Sequence, residues 1–273
     1  MSSPAEQLRQ LGLRPSKALG QHFLHDERVV ARIVAAAGIE RDTIVLEVGP
    51  GLGIMTRKLA ALAGQVIAVE KDRRLAALLA QTMPSNVSVI EADALEIDPV
   101  ALAGRSYVVI ANLPYSVGNA VIRQILEADP PPRSLTVMVQ REVAERIVAR
   151  PPRMSVLSVA VQFFGEVRLL FRVGKGAFNP PPNVESAVIR IETRPPPIPR
   201  GDFDPFFTVV RAGFGQRRKQ LANALAANLG IPRERVNLAI AAAQLPSMVR
   251  AEELSVANWV TLYQALARPS EQP

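Results

Sequence analysis

The chain has no cysteine and only two histidines, His22 and His25. Disulfides and thiolate metal sites are therefore excluded. The two histidines lie near the N-terminus without cysteine or acidic partners at a familiar metal spacing, so no metal is expected. Long apolar runs are missing as well: none approaches the roughly 18 residues of a membrane-spanning helix, and Met1 to Arg14 contains no apolar signal core. The expectation is a cytoplasmic protein with no membrane partner. Aromatic residues make up only 5% of the chain. Lysine is scarce too, outnumbered by arginine 27 to 5.

What is present points to a polyanionic partner. The 273 residues carry a formal net charge of +7, and clustered basic side chains supply the sequence-independent part of phosphate binding. Arginine adds forked donors for phosphate, although a GC-rich genome produces the same bias. No acid falls between Asp204 and Glu234, a stretch that holds Arg211, Arg217, Arg218 and Lys219. This is either a solvated helix face or a contact to RNA phosphates. The length suffices for one sizeable core and a smaller satellite domain.

From Thr43 onward short apolar runs alternate with helical segments. Strands are expected at 43–48, 65–70, 87–91, 107–111 and 135–140, with helices at 54–63, 73–81 and 117–128 between them. Asp26 is a candidate N-cap for an earlier helix that buries Val29, Val30, Ile33 and Val34. The alternation implies a parallel sheet wound by right-handed crossovers. Two further helices, 141–149 and 154–164, precede extended runs at 167–173 and 184–193 that should close the sheet with an antiparallel pair. Pro195–Arg200 cannot continue a strand and reads as a stiff linker. Four helices follow, at 203–215, 217–229, 233–243 and 256–267. The expected division is a domain over 1–194, a linker over 195–200 and a helical, RNA-binding domain over 201–273.

The first strand runs into Glu47-Val-Gly-Pro-Gly-Leu-Gly53. Such a strand-to-helix turn needs glycine because side chains would block a ligand and because some positions take positive φ. The dinucleotide fingerprint would place its third glycine at Ile54, so the spacing instead resembles the first motif of methyltransferases that use S-adenosylmethionine. In an open α/β sheet the ligand sits beyond the carboxyl ends of the strands. There the chain offers Glu47, Glu70, Asp93 and Asn112. Glu70 is placed to accept from two ribose hydroxyls, which suits both NAD and S-adenosylmethionine. Asp93 could accept from an adenine amino group or simply cap a helix.

Asn112-Leu-Pro-Tyr115 decides between those cofactors. An exocyclic amine is a poor nucleophile because its lone pair is delocalised into the ring, and two acceptors aimed at its hydrogens favour the tetrahedral nitrogen that can attack a methyl group. The Asn112 amide oxygen provides one acceptor and the Pro114 carbonyl the other, with proline restricting its own φ and that of Leu113. Tyr115 offers a face on which a base can stack.

Lys17-Ala-Leu-Gly-Gln-His-Phe-Leu24, the glycine motif, Glu91-Ala-Asp-Ala-Leu95, Asn112–Tyr115, Phe178-Asn-Pro-Pro-Pro-Asn-Val-Glu-Ser186 and Gln216-Arg-Arg-Lys-Gln-Leu221 occur in this order. Together they resemble the KsgA family of ribosomal RNA adenine dimethyltransferases. The resemblance implies a Rossmann-like class I methyltransferase domain, with a mostly parallel seven-stranded sheet, followed by a small C-terminal α-helical domain. It implies S-adenosyl-L-methionine as cofactor, and as substrate two adjacent adenosines in the 3′-terminal hairpin of small-subunit ribosomal RNA. Each would be methylated twice on N6 within an immature small subunit; a monomer is the default expectation, apart from the resemblance. Carried over residue by residue, cofactor contacts fall on His22, Leu24, Gly49, Gly51, Glu70, Asp93 and Asn112. Catalytic roles fall on Asn112, Pro114, Tyr115 and Phe178, the last stacking on the target adenine or merely anchoring the polyproline loop. The family usually has asparagine where this chain has His22, and imidazole can also hydrogen-bond. Rival readings are a DNA adenine or large-subunit RNA methyltransferase, or an assembly or transcription factor that keeps the fold without turnover.

Overall fold

The computed structural model describes residues 8, 9, 12, 14–16, 20–216 and 219–267. It divides into two compact units, each treated by itself: the described residues up to Ala144 with Glu166–Thr193, and Glu145–Gly165 with the described residues from Arg194.

The first unit is built on nine strands: β1 (Phe23–Leu24), β2 (Ile44–Val48), β3 (Gln65–Glu70), β4 (Val87–Glu91), β5 (Val108–Asn112), β6 (Ser134–Gln140), β7 (Gly165–Val173), β8 (Phe178–Asn179) and β9 (Ser186–Thr193). Seven form one sheet in the order β4-β3-β2-β5-β6-β9-β7. β2 lies between two parallel partners, Val45 pairing with Val66 on one side and Val108 on the other. Covered on both faces, it needs a nearly unbroken apolar sequence rather than an alternating one, and Val45, Leu46 and Val48 are buried. The sheet stays parallel through β6, and β9 then runs antiparallel to it, Leu135 facing Ile191. The chain goes from β2 outward to β3 and β4, then returns to β5 on the opposite side of β2. That reversal opens a crevice at the carboxyl ends of β2 and β5, where ligands of such sheets bind.

Helix Glu27–Ala36 starts at the expected cap, with the Asp26 side chain accepting from the amides of Arg28 and Val29, and buries Val30, Ile33 and Val34. These pack with Val45, Leu59, Val66, Val108 and Ile110 in the core of the unit. Asp72 caps helix Arg73–Thr82 in the same way. Two features were not anticipated. Helix Pro99–Ala103 is capped by Asp98 with proline at its first turn; five residues are too few to show a periodic face. β1 and β8 form a separate two-stranded antiparallel sheet, Phe23 facing Asn179 and Leu24 facing Phe178.

The second unit is helical, comprising Val156–Gln162, Phe203–Phe214, Leu221–Leu229, Arg233–Ala242 and Val256–Ala267. Its boundary differs from the sequence expectation, since residues 145–165 join the C-terminal helices instead of the sheet. Aromatic packing accounts for this: the Phe163 ring lies 4.9 Å from Phe206, 5.2 Å from Phe203 and 5.2 Å from Phe207. Trp259 is fully buried, and Gly213 leaves space for it where any Cβ would collide with the indole. The helix expected from Arg217 starts at Leu221; Arg217 and Arg218 lie outside the described residues. Among the described residues no helix is long and apolar enough to cross a membrane.

Candidate active site

The glycine turn after β2 is left-handed at three alternate positions, with φ of +71° at Gly49, +59° at Gly51 and +76° at Gly53. Backbone freedom alone would require glycine here. Close approach adds a second reason, since a Cβ on Gly53 would stand 2.7 Å from both Leu79 and Met83, and one on Gly51 would stand 3.2 Å from the ring of Phe23.

The strand-end acids occupy three different environments. Glu70, at the end of β3, accepts from the Gly51 amide at 3.1 Å through one oxygen and from the Asp72 amide at 2.9 Å through the other. It therefore holds the glycine turn, and each oxygen keeps a second lone pair for a ligand. Burial pushes its pKa up, and those two amides oppose the shift. Asp93 accepts from the Leu95 amide and pairs with the Lys71 ammonium, and these hold its carboxyl below the usual value. Glu47 is wholly buried. Neither of its oxygens has a hydrogen-bond partner among the described residues, and desolvation pushes its carboxyl up to about 8.

Asn112 closes β5 opposite Met138 of β6, whose carbonyl also accepts from the Leu113 amide at 3.1 Å. The Pro114 carbonyl, expected as an acceptor for a ligand, is engaged by the amides of Val117 at 3.2 Å and Gly118 at 2.9 Å. It serves to start helix Gly118–Leu126. The sequence could not show this, because which carbonyl caps the following turn depends on backbone geometry. The Tyr115 hydroxyl lies 2.7 Å from Ser186 Oγ, and its ring stacks beside His22 with centroids 5.9 Å apart.

A strap formed by Gly20–His25 crosses these turns. The β1–β8 pairing fixes one side of it, continued by the His25 amide donating to the Ala177 carbonyl at 2.9 Å. His22 Nδ1 donates to the Pro180 carbonyl at 2.8 Å, so Nδ1 carries the proton, a carbonyl being able only to accept. On the other side Gln21 donates to Asp72 at 3.1 Å. Phe178 is buried at 3% exposure, packs in the core with Leu24 and Ala177, and also reaches the cavity wall. It is thus an anchor and a lining residue at once.

All ten site residues named from the sequence line one cavity within the first unit, joined by Glu47, Lys71, Leu75 and Val121. Glu47 is among the strand-end acids that the sequence offers; the other three went unnamed for different reasons. Leu75 and Val121 carry no chemical signature, and Lys71 gains its place only through Asp93. Of the basic stretch, Lys219 is exposed. Among the described residues no cluster suited to a metal ion occurs.

Comparison with known proteins identifies the family. Residues 13–268 match the family model described as ribosomal RNA adenine dimethylase. A protein of Dehalococcoides mccartyi (strain ATCC BAA-2266 / KCTC 15142 / 195) named ribosomal RNA small subunit methyltransferase A is 41% identical over 267 residues, covering 96% of this chain and 92% of its own. Its namesake in Geobacillus thermodenitrificans is 40% identical, over 96% of this chain and 94% of its own. Among solved structures, the 23S rRNA methyltransferase ErmE superposes with a TM-score of 0.71 at 28% identity, covering 90% of this chain and 100% of that one. A dimethyladenosine transferase from Plasmodium falciparum gives a TM-score of 0.73 at 25% identity, covering 88% and 96%. The chain belongs to the ribosomal RNA adenine dimethylase family, and is an S-adenosylmethionine-dependent rRNA adenine dimethyltransferase.

Proposed function

We propose that the protein dimethylates N6 of two adjacent adenosines in the 3′-terminal hairpin of small-subunit ribosomal RNA, acting as a cytoplasmic monomer on an immature small subunit. The observation that carries this reading is the meeting of two turns in one cavity. A Cβ placed on Gly49 would stand 3.4 Å from the backbone oxygen of Asn112, so a donor lying on the glycine turn abuts the turn that would hold an amine. The choice of small-subunit RNA is supported by the curated relatives at about 40% identity, which carry that name; the large-subunit enzyme is more distant at 28%.

The residues present fit S-adenosylmethionine. Glu70 would take the ribose hydroxyls with its free lone pairs, Asp93 the adenine amino group, and Gly49 and Gly51 bring bare backbone against the remainder. His22 and Leu24 cover it from the strap. When bound, the cofactor supplies an activated methyl group on a cationic sulfur.

The target base would lie between Tyr115 and Phe178, each stacked base contact being worth roughly 1 to 3 kcal/mol, after leaving its own stack at a cost of a few kcal/mol. Asn112 Oδ1 accepts one N6 hydrogen. Because the Pro114 carbonyl is taken by two amides, the second acceptor becomes the Leu113 carbonyl, in a residue anchored through its own amide to the Met138 carbonyl. Catalysis is by positioning and hydrogen bonding, without a covalent intermediate. The amine becomes strongly acidic on methylation, so water suffices to take its proton. For the second transfer a single N6 hydrogen remains, which Asn112 can still hold.

A methylation assay comparing duplex DNA, naked ribosomal RNA and immature small subunits tests this reading. Transfer is expected to immature small subunits. Preferential transfer to DNA or to large-subunit RNA, or cofactor binding without transfer to any of them, would overturn it.

A further inference from the structure

Glu47 is the one acid at the floor of the cavity to which none of these roles belongs. It sits in β2, immediately below the glycine turn, and is 0% exposed. Neither carboxyl oxygen has a hydrogen-bond partner among the described residues, and the same holds for the hydroxyl of Thr56. An ionised carboxylate in such a place is far more costly than the neutral acid.

The charged groups around it do not relieve that cost. Glu70, from β3, adds negative charge and raises the pKa further; the one opposing influence is the Thr56 hydroxyl of helix Ile54–Ala60, which stands near enough to favour the carboxylate but outside the geometry of a formed hydrogen bond, and it does not offset the burial. The basic residues of that helix are directed elsewhere: Arg57 to the carbonyls of Leu52 and Gly53, Lys58 to Glu27. β5 contributes uncharged Ile110 and Asn112. Of the other titratable residues in the cavity wall, His22, Lys71, Asp93 and Tyr115, Lys71 is neutralised by Asp93. A positive charge arriving in the cavity would therefore act on an uncompensated site.

We propose that Glu47 reads the charge of the methyl donor: it is a neutral acid in the free protein, releases its proton to solvent when a sulfonium fills the cavity, and recovers one when the neutral thioether product remains. This inference rests on S-adenosylmethionine being the occupant. The charges balance over a turnover. The proton lost by Glu47 on donor binding is regained after transfer, and the single net proton per methyl group is the one shed by the methylated amine. Glu47 acts through space, as a residue that favours the charged donor over its spent form. The carboxyl's position near 8 in the free protein places the effect at working pH.

The test is calorimetric titration of S-adenosylmethionine and of S-adenosylhomocysteine, in buffers of different ionisation enthalpy, at about pH 7 and pH 9. The wild type should release about half a proton or more per S-adenosylmethionine at the lower pH and less at the higher one, where Glu47 is already ionised, with little release for S-adenosylhomocysteine. Its affinity for the donor should rise about tenfold from pH 6.5 to 8.5. Glu47→Gln should lose this release while keeping whatever the donor's own ammonium contributes, and its preference for donor over product should fall by about tenfold. Binding of S-adenosylmethionine without buffer-dependent heat, or equal release from wild type and Glu47→Gln, overturns the inference. Failure of S-adenosylmethionine to bind the wild type would instead overturn the assignment of the cavity. Should Glu47→Gln not fold, as read by far-UV circular dichroism, the wild-type comparison of donor with product at the two pH values decides alone.

Discussion

The hydroxyl of Tyr115 lies 2.7 Å from the Oγ of Ser186, which ties the tyrosine at the end of the Asn112 turn to the first residue of β9. Ser186 is wholly buried, so the bond fixes the ring relative to the sheet. Tyr115→Phe and Ser186→Ala should each lower the single-turnover methylation rate about threefold to tenfold, the worth of one net hydrogen bond. Tyr115→Ala should lower it about tenfold or more beyond that by removing the stacking face.

Asn112 is the side chain on which N6 activation depends. Asn112→Ala should reduce methyl transfer by about 100-fold to 1,000-fold at saturating donor, by analogy with loss of a preorganised hydrogen-bonding group. An unchanged circular dichroism spectrum and melting temperature would separate this from unfolding. Near-normal turnover would remove Asn112 from the mechanism.

Asp72 joins the strap to the sheet. Its carboxylate caps helix Arg73–Thr82, binds Arg74 in a bidentate pair and accepts from Gln21, and chiefly the Arg74 bond lowers its pKa from 3.8 to about 2. A depressed carboxyl stabilises the fold above its unfolded pKa, and that contribution is lost as pH falls through the folded value. Asp72→Asn should cost about 1 to 2 kcal/mol at pH 7, with the difference from wild type shrinking between pH 4 and about 2. Thermal melts across that range check it.

Glu47 behaves oppositely, because burial raises its folded value from 4.5 to about 8. Between these two values the unfolded chain ionises while the folded one stays protonated, so wild-type stability is progressively lost as pH rises towards 8. The stability of Glu47→Gln relative to wild type should therefore increase from pH 5 to pH 8, by on the order of 2 kcal/mol or more, and level off above. Denaturant melts of both proteins at pH 5, 7 and 9 measure it.

Much of the sheet was legible because each central strand is a short, continuous apolar run, and because the glycine turn, Glu70 and Asn112 stand at strand ends where the polarity changes. Local pattern accounts for all of these. The pairing of β1 with β8 was not legible: two residues in each strand carry no periodicity, and their partners lie more than 150 positions apart, as in Leu24 and Phe178. The place of residues 145–165 was hidden for a similar reason, since Phe163 finds Phe206 only through long-range packing. The engagement of the Pro114 carbonyl and the isolation of Glu47 are also products of the assembled fold. The strap was visible as a motif, but not its attachment through Gln21 to Asp72.

The most direct measurement is to map N6,N6-dimethyladenosine in small-subunit ribosomal RNA from cells with and without this protein. Two adjacent dimethylated adenosines in the 3′-terminal hairpin should disappear with the protein, returning with the wild-type chain and not with Asn112→Ala. Persistence of both marks without the protein, or their loss from large-subunit RNA instead, would contradict the proposed function.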